Sequence, residues 1–313
     1  MKKRRRCIVC NSSQATTLFQ IEDKMFNVSG LFTVRQCKQC SLVFIDPQPS
    51  QKILKRHYPS SHYYSYQSTD REGFFDTVRT YLLRHYYRPS LLSRFISIVI
   101  KNVPAIPSYK TKGKVLDVGC GIGDTLEILA ELGWEPYGLE IDKKAVAIAK
   151  KKGLSRVRLG SHKDIRRYPN NYFDAVRLYH VIEHIDDPRL CLRLIYRKLK
   201  KGGELIIGTP NYHSFARFLF GNYWYNLDVP RHLFIFSPDT LQRMFLDIGF
   251  TDLQAEYCSA GGIVGSLQYI LPKIAGRKMN LLNQLWLVLL FYPLEWILDK
   301  IHIGDVFVIR ARK

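Results

Sequence analysis

The chain has 313 residues, enough for one large domain or a medium one with an appendage. Hydrophobic residues make up 46% and charged residues 24%, which excludes a disordered or fibrous chain. Lys and Arg number 47 against 27 Asp and Glu, a net of +20, split as +12 over residues 1–110, +6 over 111–210 and +2 over 211–313. That excess favours an anionic partner, whether nucleic acid, acidic lipid or a phosphorylated substrate.

No apolar stretch follows the basic residues 2–6, so a secretory signal is not expected, and no run reaches the roughly 20 apolar residues of a spanning helix. Cys7-x2-Cys10 and Cys37-x2-Cys40 then supply four thiolates, with 26 residues between the pairs. Such spacing predicts a closed, tetrahedral structural zinc site; a redox pair or clustered reduced thiols are the alternatives. Seven cysteines, an odd number, point to a reducing cytoplasm rather than a disulfide framework. The stretch 46–112 is rich in Tyr, Arg and Pro, with helices expected over 74–87 and 90–103.

Residues 113–210 are the most legible. Strands are expected over 114–118, 136–140, 156–159, 173–179 and 204–208, and helices over 124–132, 143–152 and 188–199. This alternation predicts a parallel α/β sheet with helices on both faces. Val115-Leu-Asp-Val-Gly-Cys-Gly-Ile-Gly-Asp124 places Gly119, Gly121 and Gly123 directly after a strand, where glycine permits positive φ and close approach of a ligand. Glu140 ends the next strand, where a carboxylate accepts ribose hydroxyls. A dinucleotide site needs a glycine three places after Gly121, and Asp124 stands there instead, repelling a pyrophosphate. Asp117 suits a ligand with a positive amino or sulfonium group.

On these residues, segment 113–210 resembles the class I S-adenosylmethionine (SAM)-dependent methyltransferases, whose first motif is an acid followed by alternating glycines. Tyr172-Phe-Asp-Ala-Val176 and Lys201-Gly-Gly-Glu204 resemble the family's fourth-strand motif and the turn before its fifth strand. The resemblance implies a Rossmann-like fold and SAM as methyl donor. It also implies a ribose acid at Glu140 and an adenine-side acid at Asp164. The segment around Cys37 and Cys40 resembles the amino-terminal zinc module of some bacterial sugar and small-molecule methyltransferases. The expected organisation is a zinc-binding module over 1–45, a helical linker or substrate-side cap over 46–112, and the Rossmann-like domain over 113–313. That domain carries a lid over 211–237 and a hydrophobic insertion over 260–303.

His180-Val-Ile-Glu183-His184 has the letters of an inverted zinc-peptidase motif, but it follows a strand instead of lying on a helix. Its place after strand four is where such a methyltransferase meets its acceptor. The ubiquinone-pathway O-methyltransferases have Glu-x-x-Glu-His here, associated with a divalent metal, and this chain departs from them at His180. His184 or His180 is the candidate base for an acceptor hydroxyl, with Glu183 beside them; the alternative is that Glu183 and His184 only hold the loop. The stretch from Gly221 to Ser237 resembles the Trp-x-x-Leu-Asp-x-Pro-Arg-His-Leu segment of glycan-linked methyltransferases. Tyr223, Trp224 and Tyr225 are candidates for a pocket wall, and Arg231 and His232 for an anionic or hydroxylated acceptor; the alternative is that Pro230 and the aromatics only pack the lid, with Ser237-Pro238-Asp239 capping the next helix. Residues 279–301 are nearly apolar all round, flanked by Trp and preceded by Lys273, Arg277 and Lys278. They suit a membrane interface, a buried helix pair or a dimer seam.

The expectation is therefore a cytoplasmic SAM-dependent methyltransferase, peripheral at the inner face of the membrane if the insertion binds lipid. Its acceptor would be a glycan, nucleotide-sugar or lipid-linked small molecule, methylated on oxygen. Rival readings are an RNA methyltransferase, which the missing Asn-Pro-Pro-Tyr motif disfavours, and a non-catalytic zinc-ribbon nucleic-acid-binding or scaffold protein.

Overall fold

The computed structural model describes residues 6–58, 74–99, 105–108, 112–259, 261–275 and 281–313. From the amino terminus run strands β1 (Ala15–Glu22), β2 (Leu31–Cys37) and β3 (Val43–Ile45), then helices α1 (Gln51–Arg56), α2 (Phe74–Arg84) and α3 (Leu91–Val99). An alternating series follows: β4 (Lys114–Val118), α4 (Asp124–Glu131), β5 (Glu135–Glu140), α5 (Lys143–Lys151), β6 (Val157–Leu159), β7 (Phe173–Tyr179), α6 (Pro188–Lys198) and β8 (Leu199–Pro210). The last third holds α7 (Phe215–Phe220), β9 (Phe234–Ile235), α8 (Pro238–Ile248), β10 (Thr251–Cys258), α9 (Gly262–Ala275), α10 (Leu285–Lys300) and β11 (Val306–Arg312). Residues 2–5, residues 100–103 of the second expected helix, and Arg277 and Lys278 lie outside the described residues.

Two compact units cut across chain order. The first comprises Met1–Pro59, Thr209–Met244 and Ala255–Val308; the second comprises Ser60–Gly208, Phe245–Gln254 and Ile309–Lys313.

The second unit is built on a seven-stranded sheet of order β10-β11-β8-β7-β4-β5-β6. The β4–β5, β4–β7, β5–β6 and β7–β8 pairs are parallel, as expected of strands that read as continuous apolar runs. Val115, Leu126, Leu129, Ala149, Val157 and Ala175 pack in one core with almost no exposure. Asp142 caps α5 by accepting from the Lys144 and Ala145 N–H groups. Asp187 caps α6, which has Pro188 at its first position and Arg197 and Lys198 in its last turn, matching the helix dipole. The expected fifth strand is longer than 204–208. Its register steps from Phe173↔Leu199 to Ala175↔Glu204, so the turn at Gly202 (φ 72°) bulges out of a single strand.

The first unit holds a four-stranded sheet of order β1-β2-β3-β9. Its fourth strand comes from far along the chain, with Val43↔Ile235 and Phe44↔Phe234 antiparallel. The cysteine-bearing segment therefore closes its sheet with lid residues. Phe32, Val34, Ile45, Trp224, Leu227, Ile263 and Leu298 share one core. The lid and the apolar insertion are structural partners of the amino-terminal strands.

Candidate functional site

The sheet order places β4 between β5 and β7, so the chain leaves the centre first to one side and then to the other. Ligands of such sheets bind beyond the carboxyl ends of the strands at this reversal. At the end of β4, the N–H groups of Gly119 and Cys120 donate to the Leu139 carbonyl at 2.7 and 3.3 Å. Gly119, Gly121 and Gly123 all have positive φ: 75°, 55° and 84°. A Cβ on Gly119 would sit 2.4 Å from Val181 Cγ2, and one on Gly123 would sit 2.4 Å from Leu154 Cδ1. Conformation and space both demand glycine at these two positions. Lys152 Nζ is bonded to Asp124 at the start of α4.

Glu140, at the end of β5, is 3% exposed and reaches back to this loop. Its Oε2 accepts the Gly121 N–H and its Oε1 the Asp142 N–H, both at 2.9 Å. Burial pushes its carboxyl above the usual range, against the pull of these backbone donors. Each oxygen keeps a lone pair for a further donor. Asp117 is buried, and its Oδ2 accepts from Arg177 at 2.5 Å while its Oδ1 has no hydrogen-bond partner among the described residues. Burial raises the Asp117 carboxyl and Arg177 opposes it. Arg177 also donates to the Ala105 carbonyl at 2.9 Å. Sequence reading missed Arg177; its signal was a lone cation in the buried strand Phe-Asp-Ala-Val-Arg-Leu-Tyr, in register with Asp117. Asp164 follows β6, where its Oδ2 accepts the Ser161 N–H at 2.8 Å in a capping box and Arg167 lies 3.0 Å from Oδ1. The backbone bond from Ser161 is the main cause holding its carboxyl below the usual range.

His180 follows β7 with φ 55°, an uncommon conformation for a residue with a side chain. Its N–H donates to Gly208 O at 2.8 Å, and its Nδ1 lies 3.4 Å from Oε1 of buried Glu183. His184 ends the short 3-10 turn Ile182–His184. Both histidines lie just past the strand end, His180 before the turn and His184 within it; no metallopeptidase helix forms there.

In the first unit, the four cysteine sulfurs lie within 4.8 Å of one another. Cys7 and Cys40 are 3.4 Å apart and Cys10 and Cys37 are 3.5 Å apart, too long for a disulfide. Four sulfurs about 2.3 Å from a central zinc would stand roughly 3.8 Å apart. Each pair sits on a matching knuckle: Asn11 and Ser41, both at φ 61°, donate backbone N–H to Cys7 O and Cys37 O.

At Trp224 and Arg231 the lid packs within the first unit instead of opening to an acceptor. Trp224 is 1% exposed and its indole Nε1 donates to Asp305 at 2.5 Å. Arg231 is not free to meet an acceptor. Its inaccessible guanidinium is forked between Asp23 (2.8 and 3.0 Å) and Asp228, and it also donates to His57 O. The cavity that Trp224 and Arg231 help line is only ≈ 10 Å³, the room of one water. His232 is buried, with Nδ1 2.8 Å from Asn226 O. A carbonyl only accepts, so Nδ1 carries the proton and Nε2 is the basic nitrogen. Ser237 and Pro238 start α8 as expected, Ser237 Oγ accepting the Thr240 N–H at 3.3 Å.

Sheet order, glycine loop and the acid closing β5 are those of the Rossmann-like class I SAM-dependent methyltransferases. Residues 83–255, more than half the chain, match the family model described as "Methyltransferase domain", and the chain belongs to that family. A ubiquinone biosynthesis O-methyltransferase of Xanthomonas oryzae pv. oryzae (strain PXO99A) is 35% identical over 103 residues, 31% of this chain and 43% of that protein. A protein of the same name from Proteus mirabilis (strain HI4320) is 31% identical over 112 residues, 34% of this chain and 45% of that protein. The chain thus spans under half the length of these curated relatives. Among solved structures, a SAM-dependent methyltransferase from Archaeoglobus fulgidus is similar at 26% identity and a TM-score of 0.46, covering 74% of this chain and 99% of that one.

Proposed function

We propose that this protein transfers a methyl group from SAM to an oxygen of a glycan, nucleotide-sugar or lipid-linked small molecule. The observation that carries the reading is the glycine loop held against Glu140, whose Oε2 accepts the Gly121 N–H. When bound, SAM supplies an electrophilic sulfonium methyl. Glu140 would hold the ribose hydroxyls, Asp164 the adenine side, and Asp117, Gly119, Gly121 and Gly123 the amino-acid end. The unpartnered, buried Asp117 Oδ1 fits a positive donor. Alignment in a site closed to water would supply most of the acceleration. His184 or His180, oriented by Glu183, and His232 through Nε2, are the candidate bases for an acceptor hydroxyl. The name of the curated relatives supports an oxygen acceptor, and the net charge of +20 supports an anionic one.

Calorimetric titration with SAM tests this. Wild type should bind with one site, and Glu140→Ala should weaken binding by roughly 1–3 kcal/mol, about 5- to 150-fold. Gly119→Val should abolish binding by filling the loop with a side chain. Equal SAM affinity in all three proteins would remove the cofactor assignment. Mass spectrometry of extracts incubated with labelled SAM identifies the acceptor.

The cysteine cluster supports a second element of the reading, one structural zinc held by Cys7, Cys10, Cys37 and Cys40. With four thiolates it has no open position, so it would shape the first unit and do no chemistry. Purified protein should contain one zinc equivalent, released by thiol modification, and Cys37→Ser should lose it and expose the amino-terminal strands to proteolysis. Metal-free wild-type protein with the same protease resistance would contradict the assignment.

A further inference from the structure

Helix α10 is built inside out. Its exposed residues are Trp286, Leu289, Leu290, Pro293, Leu294, Ile297 and the terminal Lys300, with Ile301 just beyond. Steps of three and four place them on one face. The helix's two acids are on the other side, each 5% exposed. Glu295 accepts from the Gly261 and Ile263 N–H groups, and Asp299 accepts from Ser259 N and Oγ at 3.0 and 2.9 Å. Leu298 and Phe291 pack into the unit's core. A helix facing water has its polar residues outside and its apolar ones inside. Here Trp286 is 62% and Leu290 64% exposed. Isolated exposed apolar residues are ordinary, but a continuous stripe marks a surface meant to be covered.

Charge selects what covers it. No acid lies on the exposed face, and the sequence from residue 257 to 294 has no acid but contains Lys273, Arg277 and Lys278. Lys300 lies at the far end, its ammonium 5.3 Å from the Trp296 ring. A second copy of a chain carrying +20 is repelled, whereas an anionic lipid surface attracts it. The stripe from Trp286 to Ile301 is about 22 Å long at 1.5 Å per residue. No helix among the described residues is long and apolar enough to cross a membrane. Trp at the start and Trp with Lys at the end are residues of the headgroup boundary.

We infer that α10 lies flat in the headgroup–acyl boundary of an anionic leaflet, its Trp286–Ile301 stripe against the lipid and its acids turned into the protein. This rests on no property of the glycine loop and stands apart from the methyl-transfer reading. Flotation of the full chain with phosphatidylglycerol–phosphatidylcholine vesicles tests it, with pure phosphatidylcholine as comparison. Wild type should float with the anionic vesicles, less so as salt is raised. The double variant Trp286→Ser and Leu290→Ser, with its circular dichroism and SAM titration unchanged, should bind at least tenfold less. Bromine-labelled lipid should also quench wild-type tryptophan fluorescence, a readout that needs no variant. Folded wild type absent from anionic vesicles, or equal flotation of the folded variant, would overturn the proposal. So would a dimer in sedimentation that the variant lacks, with neither protein floating, since the face would then belong to a second copy.

Discussion

Arg231→Met should destabilise the first unit by about 3–5 kcal/mol, the usual cost of stranding one side of a buried ionic cluster. The side chains of Arg231, Asp23 and His57 are essentially inaccessible, and that of Asp228 nearly so. Methionine fills much of the arginine volume, so the loss reads charge and hydrogen bonding more than cavity. The variant would leave two carboxylates buried without their cation. Burial alone would raise the Asp23 carboxyl, but Arg231 and His57 reverse this and hold it below its ordinary value. Asp23 and Arg231 are 208 residues apart in sequence, so the cluster ties the amino-terminal strands to the lid. Arg231→Lys should fall between, because an ammonium keeps the charge but cannot fork between both acids. Urea denaturation followed by circular dichroism measures all three proteins. A loss below about 1 kcal/mol for Arg231→Met would show that the cluster contributes little.

The same cluster shows where sequence reading stops. Leu-Asp-Val-Pro-Arg-His presents an arginine beside a histidine in an aromatic segment, and an acceptor role is a fair inference from those letters. Its partner Asp23 lies in a loop before β2, and no local pattern announces the pairing. The two-residue strand β9 is equally silent: Phe234 and Ile235 are too few for a periodicity, and their pairing with β3 depends on the whole unit. Helix α10 reads as apolar all round because Glu295 and Asp299 are spaced like any surface pair, and only the fold shows that they point inward.

By contrast, the centre of the second unit was written in local terms. Strand β7 spans the expected 173–179 residue for residue, because a run buried on both faces and closed by a charged turn permits little else. The glycine loop was legible for a stricter reason. At Gly119 and Gly123 a positive φ coincides with a side chain 2.4 Å from where a Cβ would stand, so any other residue there strains the backbone and displaces Val181 or Leu154. Asp117 was found from its motif, while Arg177 was hidden in a strand whose other members are mostly apolar. Paired strands bring such groups together, and sequence spacing alone does not reveal the register.

Glu295 gives the stability of the first unit a pH dependence of definite sign. Burial is the main cause that lifts its carboxyl from 4.5 to about 7, aided by Asp305 and Asp299, against the weak pull of the Ile263 and Gly261 N–H groups. Asp305 is lifted in the same way to about 6, despite its bonds from Trp224, Ser214 and Asn226. Between pH 4.5 and about 7 the folded protein keeps a proton on Glu295 that the unfolded chain has released. The folded state binds more protons in that window, so stability falls as pH rises through it and levels off above about 7. A shift of that size corresponds to roughly 3 kcal/mol as an upper bound. Glu295→Gln, neutral at every pH, should remove this slope. It should match wild type near pH 4 and exceed it by roughly 1–3 kcal/mol at pH 8, with the burial of α10 unchanged. Groups such as His162, whose imidazole burial holds low, contribute the opposite slope in both proteins and cancel in the comparison. Urea midpoints at a series of pH values would measure the difference. Parallel curves for the two proteins would mean that Glu295 is already ionised, or already solvated, at the start of the window.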